Sequence, residues 1–348
     1  MTPRRLSLFA LYSNVDRIEY TSGDRINELR LISRLARFFD VYYNNELFLP
    51  EKEAVGLEGQ LGPVGDYDLY YVRNAPEILS RIRGIRLAFA HPYDAHVFKT
   101  SDFLVVLNEN WRSHLISRDG RSGAIREDVY GVRMPPVGNK VINVGQSYDE
   151  KLRYAESSEK ERFYFSARMT RGHAFGFYGN LSRQFFPLKA FWAVQQLWEE
   201  NQRVDPVLSL AGRFRKGSKI DLPHAIYLGN VPYANMAALY DATCCALTNE
   251  TPLNHMLGNQ KTLDAMSRGV PLLCAKVDTF VYQLGDDYPF FYETEGQAYR
   301  KAKDLLYDET VRQEVGESLR ERADRLFSPS AATALLRSEL KAAGLIDR

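Results

Sequence analysis

The chain of 348 residues has few cysteines, almost no net charge and no long hydrophobic run. Its three cysteines, Cys244, Cys245 and Cys274, include two neighbours that cannot easily bridge each other, so we expect reduced thiols and a cytosolic compartment. Lys and Arg number 45 against 44 Asp and Glu, and this balance excludes binding of nucleic acid or membranes by bulk charge. The apolar run Leu6–Tyr12 is too short for a signal peptide, and no stretch approaches the roughly 18 residues of a membrane span.

What the chain does contain is a series of short apolar runs separated by helical patterns. Examples are Leu6–Tyr12, Leu69–Val72 and Phe103–Leu107 and, later, Phe175–Tyr178 and Cys244–Leu247. Strands of this length joined by helices predict parallel sheets with crossover connections. The predicted fold class is therefore α/β, with two Rossmann-like domains facing across a cleft.

The charged stretch 148–162 is the best candidate for a domain boundary, because such a composition is typical of a solvated linker. We place the first domain at residues 1–160 and the second at 161–325. We expect a C-terminal helix at 326–348 to pack back on the first domain.

A polar loop precedes the helical pattern at Gln260–Arg268 and ends near Gly258. Backbone N–H groups and the positive end of the helix dipole can bind an anion at such a point. Lys261 and Thr262 lie in the first turn, where their side chains can join these amides on a phosphate. Asp264 lies three residues after Lys261 on the same side of the helix, where a carboxylate suits ribose hydroxyls better than phosphate. These residues alone fit an ordinary helix start equally well.

The segment Ile226–Ser328 resembles the C-terminal half of the nucleotide-sugar glycosyltransferases with two Rossmann domains, which are called the GT-B type. The landmarks are, in order, Ile226–Tyr233, Ala237–Ala242, Gly258–Pro271 and Asp308–Ser328. This resemblance implies an enzyme that moves a sugar from a nucleotide-sugar donor to an acceptor hydroxyl. It also implies that the second domain binds the donor and the first domain binds the acceptor.

A narrower resemblance is to the DNA β-glucosyltransferases of T-even bacteriophages. It rests on Lys140–Asp149, Phe177–Arg183, Val231–Tyr233 and Asn254–Asp264. The resemblance implies a hydroxymethylated base of phage DNA as the acceptor and the host cytoplasm as the location. The donor-binding residues that it implies are Arg183, Lys189 and Lys261 at the diphosphate, Asp264 at the ribose, and Val231 and Tyr233 at the nucleotide base. Asn254, Gly258 and Thr262 complete the donor site that we expect.

The first domain is expected to supply the general base if the reaction inverts the anomeric carbon. Asp94 is the first candidate and His91 the second, because both follow a predicted strand at the edge where α/β sheets form clefts. Asp24, which we expect to cap the first helix, is the third. A carboxylate in a closed cleft can accept the proton of an acceptor hydroxyl. Each of the three residues could equally be a cap or turn residue.

We predict no metal and no cofactor apart from the nucleotide-sugar co-substrate, which we expect to be a UDP-sugar. Asp66 and Asp68 form a D-x-D pair, but this pair precedes an apolar run rather than following one. His91, Asp94 and His96 lack a fourth ligand within reach. Fixed cations and helix amides can instead stabilise the leaving nucleoside diphosphate.

A DNA acceptor would require two further features. An aromatic side chain must stack against the flipped base, and Tyr93 and Trp111 are candidates. Arginines must also contact the DNA phosphates. Those available in the first domain are Arg81, Arg83, Arg86, Arg118, Arg121, Arg126 and Arg133.

Three alternatives remain beside the DNA acceptor. The acceptor could be a glycan, a lipid-linked compound or a small molecule. The largest retaining GT-B branch carries two glutamates with seven residues between them, and Met256 and Asp264 stand at those positions here. Because the first carboxylate is absent, a catalytically silent module that binds a nucleotide or sugar is a second alternative. An epimerase or phosphorylase of the same two-domain shape is the third.

Overall fold

The computed structural model describes residues 5–12, 23–43, 60–61, 65–73, 76–90, 95–116, 140–156, 158, 165, 173–179, 181, 185–200, 207–212, 222, 224–249 and 258–347. The chain divides into two compact units. Unit 1 consists of Met1–Tyr20, Asp24–Ser147 and Ser330–Arg348, and unit 2 of Thr21–Gly23 and Tyr148–Pro329.

Unit 1 contains a parallel sheet whose described strands follow the order β3-β2-β1-β4-β5-β6-β7. Helices α1 to α3 and a short 3₁₀ helix (Pro76–Arg81) connect these strands. The elements are β1 (Ser7–Tyr12), α1 (Gly23–Leu35), β2 (Asp40–Tyr43), β3 (Gln60–Leu61), β4 (Leu69–Arg73), β5 (Ile85–Phe89), α2 (Ala95–Thr100), β6 (Phe103–Val106), α3 (Glu109–Ile116) and β7 (Val141–Asn143).

Unit 2 contains a second parallel sheet, whose described strands follow the order β10-β9-β8-β11-β12-β13. A short 3₁₀ helix (Tyr233–Asn235) precedes α6. The elements of the remaining chain are α4 (Glu150–Tyr154), β8 (Ala174–Tyr178), α5 (Leu188–Glu200), β9 (Val207–Ala211), β10 (Ala225–Gly229), α6 (Met236–Asp241), β11 (Thr243–Thr248), α7 (Gln260–Arg268), β12 (Leu272–Ala275), α8 (Asp278–Leu284), β13 (Phe291–Tyr292), α9 (Glu295–Tyr307), α10 (Glu309–Phe327) and α11 (Pro329–Ala342).

The predicted α/β class with two parallel-sheet domains is confirmed. The central strands β8 and β11 are buried along their whole length, as expected for strands covered by helices on both faces. Cys244 and Cys245 on β11 and Cys274 on β12 are free and buried, in agreement with the predicted thiols. Burial raises the pKa of Cys244 to about 12, so this thiol is held in its neutral form.

Each sheet has one point at which the order of strand addition reverses. In unit 1 this switch point lies between β1 and β4, and in unit 2 it lies between β8 and β11. At a switch point, the connections that follow the two neighbouring central strands run to opposite faces of the sheet. The crevice between these connections is where open α/β sheets bind their ligands.

Helix α7 begins at the unit 2 switch point, and its bounds match the predicted Gln260–Arg268. Asn259 is its N-cap, and the side-chain oxygen accepts a hydrogen bond from the N–H of Lys261 at 3.0 Å. Gly269 ends the helix with φ +72°, a left-handed conformation that costs glycine little. Both signals are local, which explains why the sequence alone predicts these bounds.

Two predictions from the sequence are corrected, namely the helix cap at Asp24 and the solvated linker at 148–162. Asp24 does not precede the first helix but is the second residue of α1, and the structure does not describe its side chain. The stretch that begins at residue 148 is not a solvated linker at its start, because it forms α4 and the side chains of Tyr148 and Leu152 are buried. Tyr148 donates a hydrogen bond to Asp324 on α10 at 2.8 Å, which holds this segment against α10 within unit 2.

The C-terminal helix α11 packs on unit 1 from Ser330 onward. Glu339 on α11 accepts hydrogen bonds from the guanidinium of Arg112 at 2.6 Å and from the N–H of Asn143 at 3.2 Å. The returning helix is therefore held by a charged pair and by the end of β7. Within the described part of the chain, none of the helices combines the length and apolar character needed to cross a membrane.

Candidate functional site

Three glycines lie at the carboxyl edge of the unit 2 sheet. Gly179 and Gly212 directly follow β8 and β9, Gly229 is the last residue of β10, and all three have positive φ, at +123°, +133° and +75°. A Cβ atom on Gly179 or Gly229 would have no described atom within 4 Å. A ligand can thus approach the peptide groups closely at this edge. This row was not predicted from the sequence, although a glycine at or just past the end of three apolar runs is a visible signal.

Lys261 brings a positive charge to the switch point between β8 and β11. It lies in the first turn of α7, and its Nζ atom is 4.2 Å from the ring centroid of Phe177 on β8. An ammonium at this distance over a ring is held by a cation–π interaction. The side chain also borders a small cavity with Tyr178 and Thr248. The cation therefore extends from α7 toward the neighbouring central strand.

Asp264 lies one turn further along α7 and is only 6% exposed. Its Oδ1 atom accepts a hydrogen bond from Nε2 of Gln260 at 2.8 Å. Burial raises the pKa of nearby Tyr240 well above its usual range, and the negative charge of Asp264 adds to this increase. The Tyr240 hydroxyl donates to the carbonyl oxygen of Lys261 at 3.4 Å. Tyr240 therefore interacts with both residues: it lies in the field of the Asp264 carboxylate and hydrogen-bonds to the backbone of Lys261.

Two predicted phosphate ligands have other surroundings. Thr262 is fully buried, and its hydroxyl has no hydrogen-bond partner among the described residues. Lys189 lies on the exposed face of α5, where its ammonium donates to the carbonyl oxygen of Glu293 at 2.5 Å. Neither side chain is brought to Lys261 by a described contact.

Some of the remaining predicted site residues are described by the structure and others are not. Val231 is buried in the core of unit 2, and Tyr233 is half-buried at the start of the 3₁₀ helix before α6. Gly258, with φ +81°, directly precedes the N-cap of α7. The predicted residues Arg183, Asn254, His91 and Asp94 lie outside the described residues.

The switch point of unit 1 carries a buried ion pair. Arg73 ends β4, and its Nη1 atom lies 2.8 Å from Oε2 of Glu28 on α1, with both side chains at most 5% exposed. The Arg73 guanidinium stacks 4.1 Å from the ring centroid of Phe89 on β5, and the hydroxyl of Tyr71 donates to the same Glu28 oxygen at 3.2 Å. This pair joins α1 to the carboxyl end of the central strand.

Two of the candidates for contact with a DNA acceptor are engaged within the protein, whereas Tyr93, Arg118, Arg121, Arg126 and Arg133 lie outside the described residues. Trp111 is buried and donates its indole N–H to the carbonyl oxygen of Ala90 at 3.2 Å, so it cannot stack against a flipped base. Arg86 forms a two-pronged ion pair with Asp102, at 2.9 and 2.8 Å, which compensates its charge. Among the residues that the structure describes, no group of three or more His, Cys, Asp or Glu side chains is placed to hold a metal ion.

Comparison with known proteins relates this geometry to a protein family. Residues 183–336 match the family model described as glycosyl transferase-like. No curated protein sequence matches the chain.

Solved structures resemble the chain over nearly its full length. HepE of Anabaena, in complex with UDP and glucose, has a TM-score of 0.68 at 12% identity and covers 97% of this chain and 100% of its own. Sucrose-phosphate synthase of Thermosynechococcus elongatus has a TM-score of 0.64 at 12% identity, with 97% and 99% covered. A glycosyltransferase of Rickettsia africae has a TM-score of 0.63 at 9% identity, with 97% of each chain covered. By enzyme class the chain is thus a glycosyltransferase, with the GT-B fold throughout and the glycosyl transferase-like sequence pattern over residues 183–336.

Proposed function

We propose that unit 2 binds a UDP-sugar at the switch point between β8 and β11 and that the enzyme transfers the sugar to an acceptor hydroxyl without a metal ion. The observation that carries the proposal is the position of Lys261, in the first turn of α7 and with its ammonium directed to β8. HepE of Anabaena, which has the same fold, is seen in complex with UDP and with UDP-glucose.

The diphosphate is assigned to the start of α7. The first-turn N–H groups carry the positive end of the helix dipole, and Lys261 adds a full charge beside them. As the sugar–phosphate bond breaks, negative charge accumulates on the leaving diphosphate, and these fixed groups stabilise it without reorganisation. Arg183 is predicted from sequence to join them. Thr262 is left out of this set because its hydroxyl is buried, and Lys189 because it is bonded to Glu293.

The nucleoside is assigned to the remaining edge of the sheet. Gly179 and Gly229 offer open backbone at the ends of β8 and β10, and the turn at Val231–Tyr233 follows β10. Backbone N–H and C=O groups of that turn are proposed to pair with the uracil edge. Asp264 is proposed to accept hydrogen bonds from the ribose hydroxyls, because a carboxylate beside the phosphates themselves would be repelled.

The general base is assigned to unit 1. Among the three candidates, the topology favours Asp24, because α1 follows β1 and so begins at the switch point of that sheet. His91 and Asp94 follow β5, which is one strand further from the switch point. Replacement of the true base by its amide or by glutamine should abolish transfer and leave UDP affinity unchanged. Asp24→Asn, His91→Gln and Asp94→Asn measured side by side distinguish the three.

The acceptor is proposed only as a hydroxyl compound. The DNA acceptor implied by the phage resemblance gains no support from the glycosyl transferase-like match or from the similar structures. Labelled-sugar transfer to hydroxymethylated DNA, plain DNA, glycans and small alcohols compares the classes directly. Hydrolysis of UDP-sugar without an acceptor separates the enzyme from a silent binding module, and phosphate-dependent release of the sugar would indicate a phosphorylase.

Calorimetric titration with UDP in EDTA tests the donor site. We expect binding without metal, and UDP at about 100 times its Kd should add about 2.7 kcal/mol of stability. Lys261→Ala should weaken UDP binding by about 10- to 150-fold, because a charge-assisted hydrogen bond contributes about 1.5–3 kcal/mol. Lys303→Ala is the matched control, because Lys303 also lies over an aromatic ring, that of Tyr299, but on α9. Binding that needs a metal, or equal affinity of the two variants, would contradict the proposal.

A further inference from the structure

The two ends of the connection between β11 and α7 are joined by side chains. Thr248 is the last residue of β11, and Asn259 is the N-cap of α7. Nδ2 of Asn259 donates to the hydroxyl oxygen of Thr248 at 3.2 Å, while its Oδ1 accepts the N–H of Lys261 at 3.0 Å. The buried amide of Asn259 therefore joins the two ends of this connection and orients the first-turn N–H groups of α7.

A second buried amide holds Asn259 from outside this connection. Gln283 lies on α8 and is completely buried, and its Nε2 atom donates to the backbone carbonyl oxygen of Asn259 at 3.1 Å. Transferring an amide from water into a protein core is unfavourable unless it is hydrogen-bonded. Glutamine at this position is thus explained by the bond that it makes and not by packing alone.

The helix that carries Gln283 is itself held from a third element. Arg322 on α10 donates from Nε to the carbonyl oxygen of Gln283 at 2.7 Å and from Nη2 to that of Tyr282 at 3.1 Å. A guanidinium that donates to the last carbonyl oxygens of a helix satisfies acceptors that have no hydrogen-bond partner within the helix. A continuous series of hydrogen bonds therefore leads from α10 through α8 to the N-cap of α7.

We propose that Gln283 is a positioning residue for the donor diphosphate. It acts through Asn259, whose orientation determines where the first-turn amides of α7 and Lys261 meet the phosphates. The role rests on the proposed UDP-sugar site. Gln283 itself is not proposed to contact a donor atom. A misplacement of about 1 Å at a catalytic or binding group is enough to reduce activity strongly, so loss of this one bond should be measurable.

Gln283→Met is the first test, because methionine keeps the length of the side chain and removes its donor. We expect UDP affinity to fall about 10-fold, equivalent to about 1.4 kcal/mol, and affinity for uridine, which has no phosphate, to stay the same. Gln195→Met is the matched control. Gln195 is a buried glutamine of the same unit on α5, and its amide has no hydrogen-bond partner among the described residues.

Gln283→Glu tests the hydrogen bond itself. The protonated carboxylic acid can donate to the Asn259 carbonyl, whereas the ionised form cannot. Relative to the wild type, UDP affinity of this variant should be close to normal at low pH and should fall as pH rises and the acid ionises. If Gln283 merely filled space, UDP affinity of the Gln283→Glu variant would show the same pH profile as that of the Gln283→Met variant.

The outcomes separate the inference from the proposed function. Wild-type protein that binds no UDP overturns the proposed site and this role together. If the wild type binds UDP and the Gln283→Met and Gln195→Met variants have equal UDP affinity, the inference alone is overturned. An equal fall in UDP and uridine affinity also overturns it, because a general loosening of unit 2 would not be confined to the phosphates.

Discussion

Gln260 and Asp264 are hydrogen-bonded side chain to side chain, one turn apart on α7, with 2.8 Å between Nε2 and Oδ1. Both residues are nearly inaccessible, at 5% and 6% exposed. Pairs at this spacing face each other on a helix. The bond therefore holds the Asp264 carboxylate in one orientation, which is the one that the proposed ribose contact would use.

Asp264→Asn should weaken UDP binding by about 10- to 150-fold, because the new amide has one accepting oxygen in place of two and no negative charge. The wild type should also prefer UDP to 2′-deoxy-UDP and 3′-deoxy-UDP, and the variant should lose that preference. Calorimetry with the three nucleotides measures both effects. Asp304→Asn, at an exposed position on α9, is the control. A preference for the ribose hydroxyls that survives in Asp264→Asn would exclude this residue from the ribose site.

Gly212→Ala should destabilise unit 2 by several kcal/mol. Its φ of +133° is a conformation that residues with a Cβ atom rarely adopt, and the added methyl would collide with the carbonyl oxygen of Gly179. Gly229→Ala is the matched comparison, since φ is +75° and the methyl meets nothing described within 4 Å. It should cost only about 1–2 kcal/mol. Chemical denaturation of both variants measures the difference, and equal losses would contradict the close approach of the two glycine backbones.

Arg73→Met should cost unit 1 about 3–5 kcal/mol, because it leaves the Glu28 carboxylate buried without its cation. The double variant Glu28→Gln/Arg73→Met should recover much of the loss, since it removes both charges together. Unfolding by urea gives the three free energies. If the double variant were as unstable as Arg73→Met alone, packing of the guanidinium on Phe89 would be the main contribution instead.

The ion pair of Asp102 and Arg86 predicts a dependence of stability on pH. Side-chain hydrogen bonds from Arg86 lower the pKa of Asp102 below its usual 3.8, although partial burial opposes them. Because the folded-state pKa is depressed, the stabilisation is present at neutral pH and is lost as pH falls through that lowered value. Asp102→Asn should therefore cost about 1 kcal/mol at pH 7, and the difference from the wild type should shrink below about pH 4. Melting curves from pH 7 to pH 3 follow this difference. A difference that stays constant with pH would mean that the carboxylate is not paired in solution.

The strands and the α7 boundaries are determined by short stretches of sequence. Runs of buried residues such as Thr243–Thr248 predict central strands, and Asn259 and Gly269 begin and end α7 through bonds to their immediate neighbours. These signals depend on residues within one turn or one strand, so a single sequence is enough to interpret them. The proposed anion site at Gly258–Asp264 is predicted from sequence for the same reason.

The strand order and the contacts that it creates were decided only in three dimensions. Nothing near Lys261 in the sequence indicates that its ammonium lies over Phe177, and Thr262 reads as a phosphate ligand until its burial is known. Gln283 and Asn259 are 24 residues apart, and the Glu28–Arg73 pair spans 45 residues. Such pairs form because parallel strands need long crossover connections, which bring together side chains from elements that are distant along the chain. Local sequence therefore determined which elements form, and the packing of those elements decided which side chains reach the site.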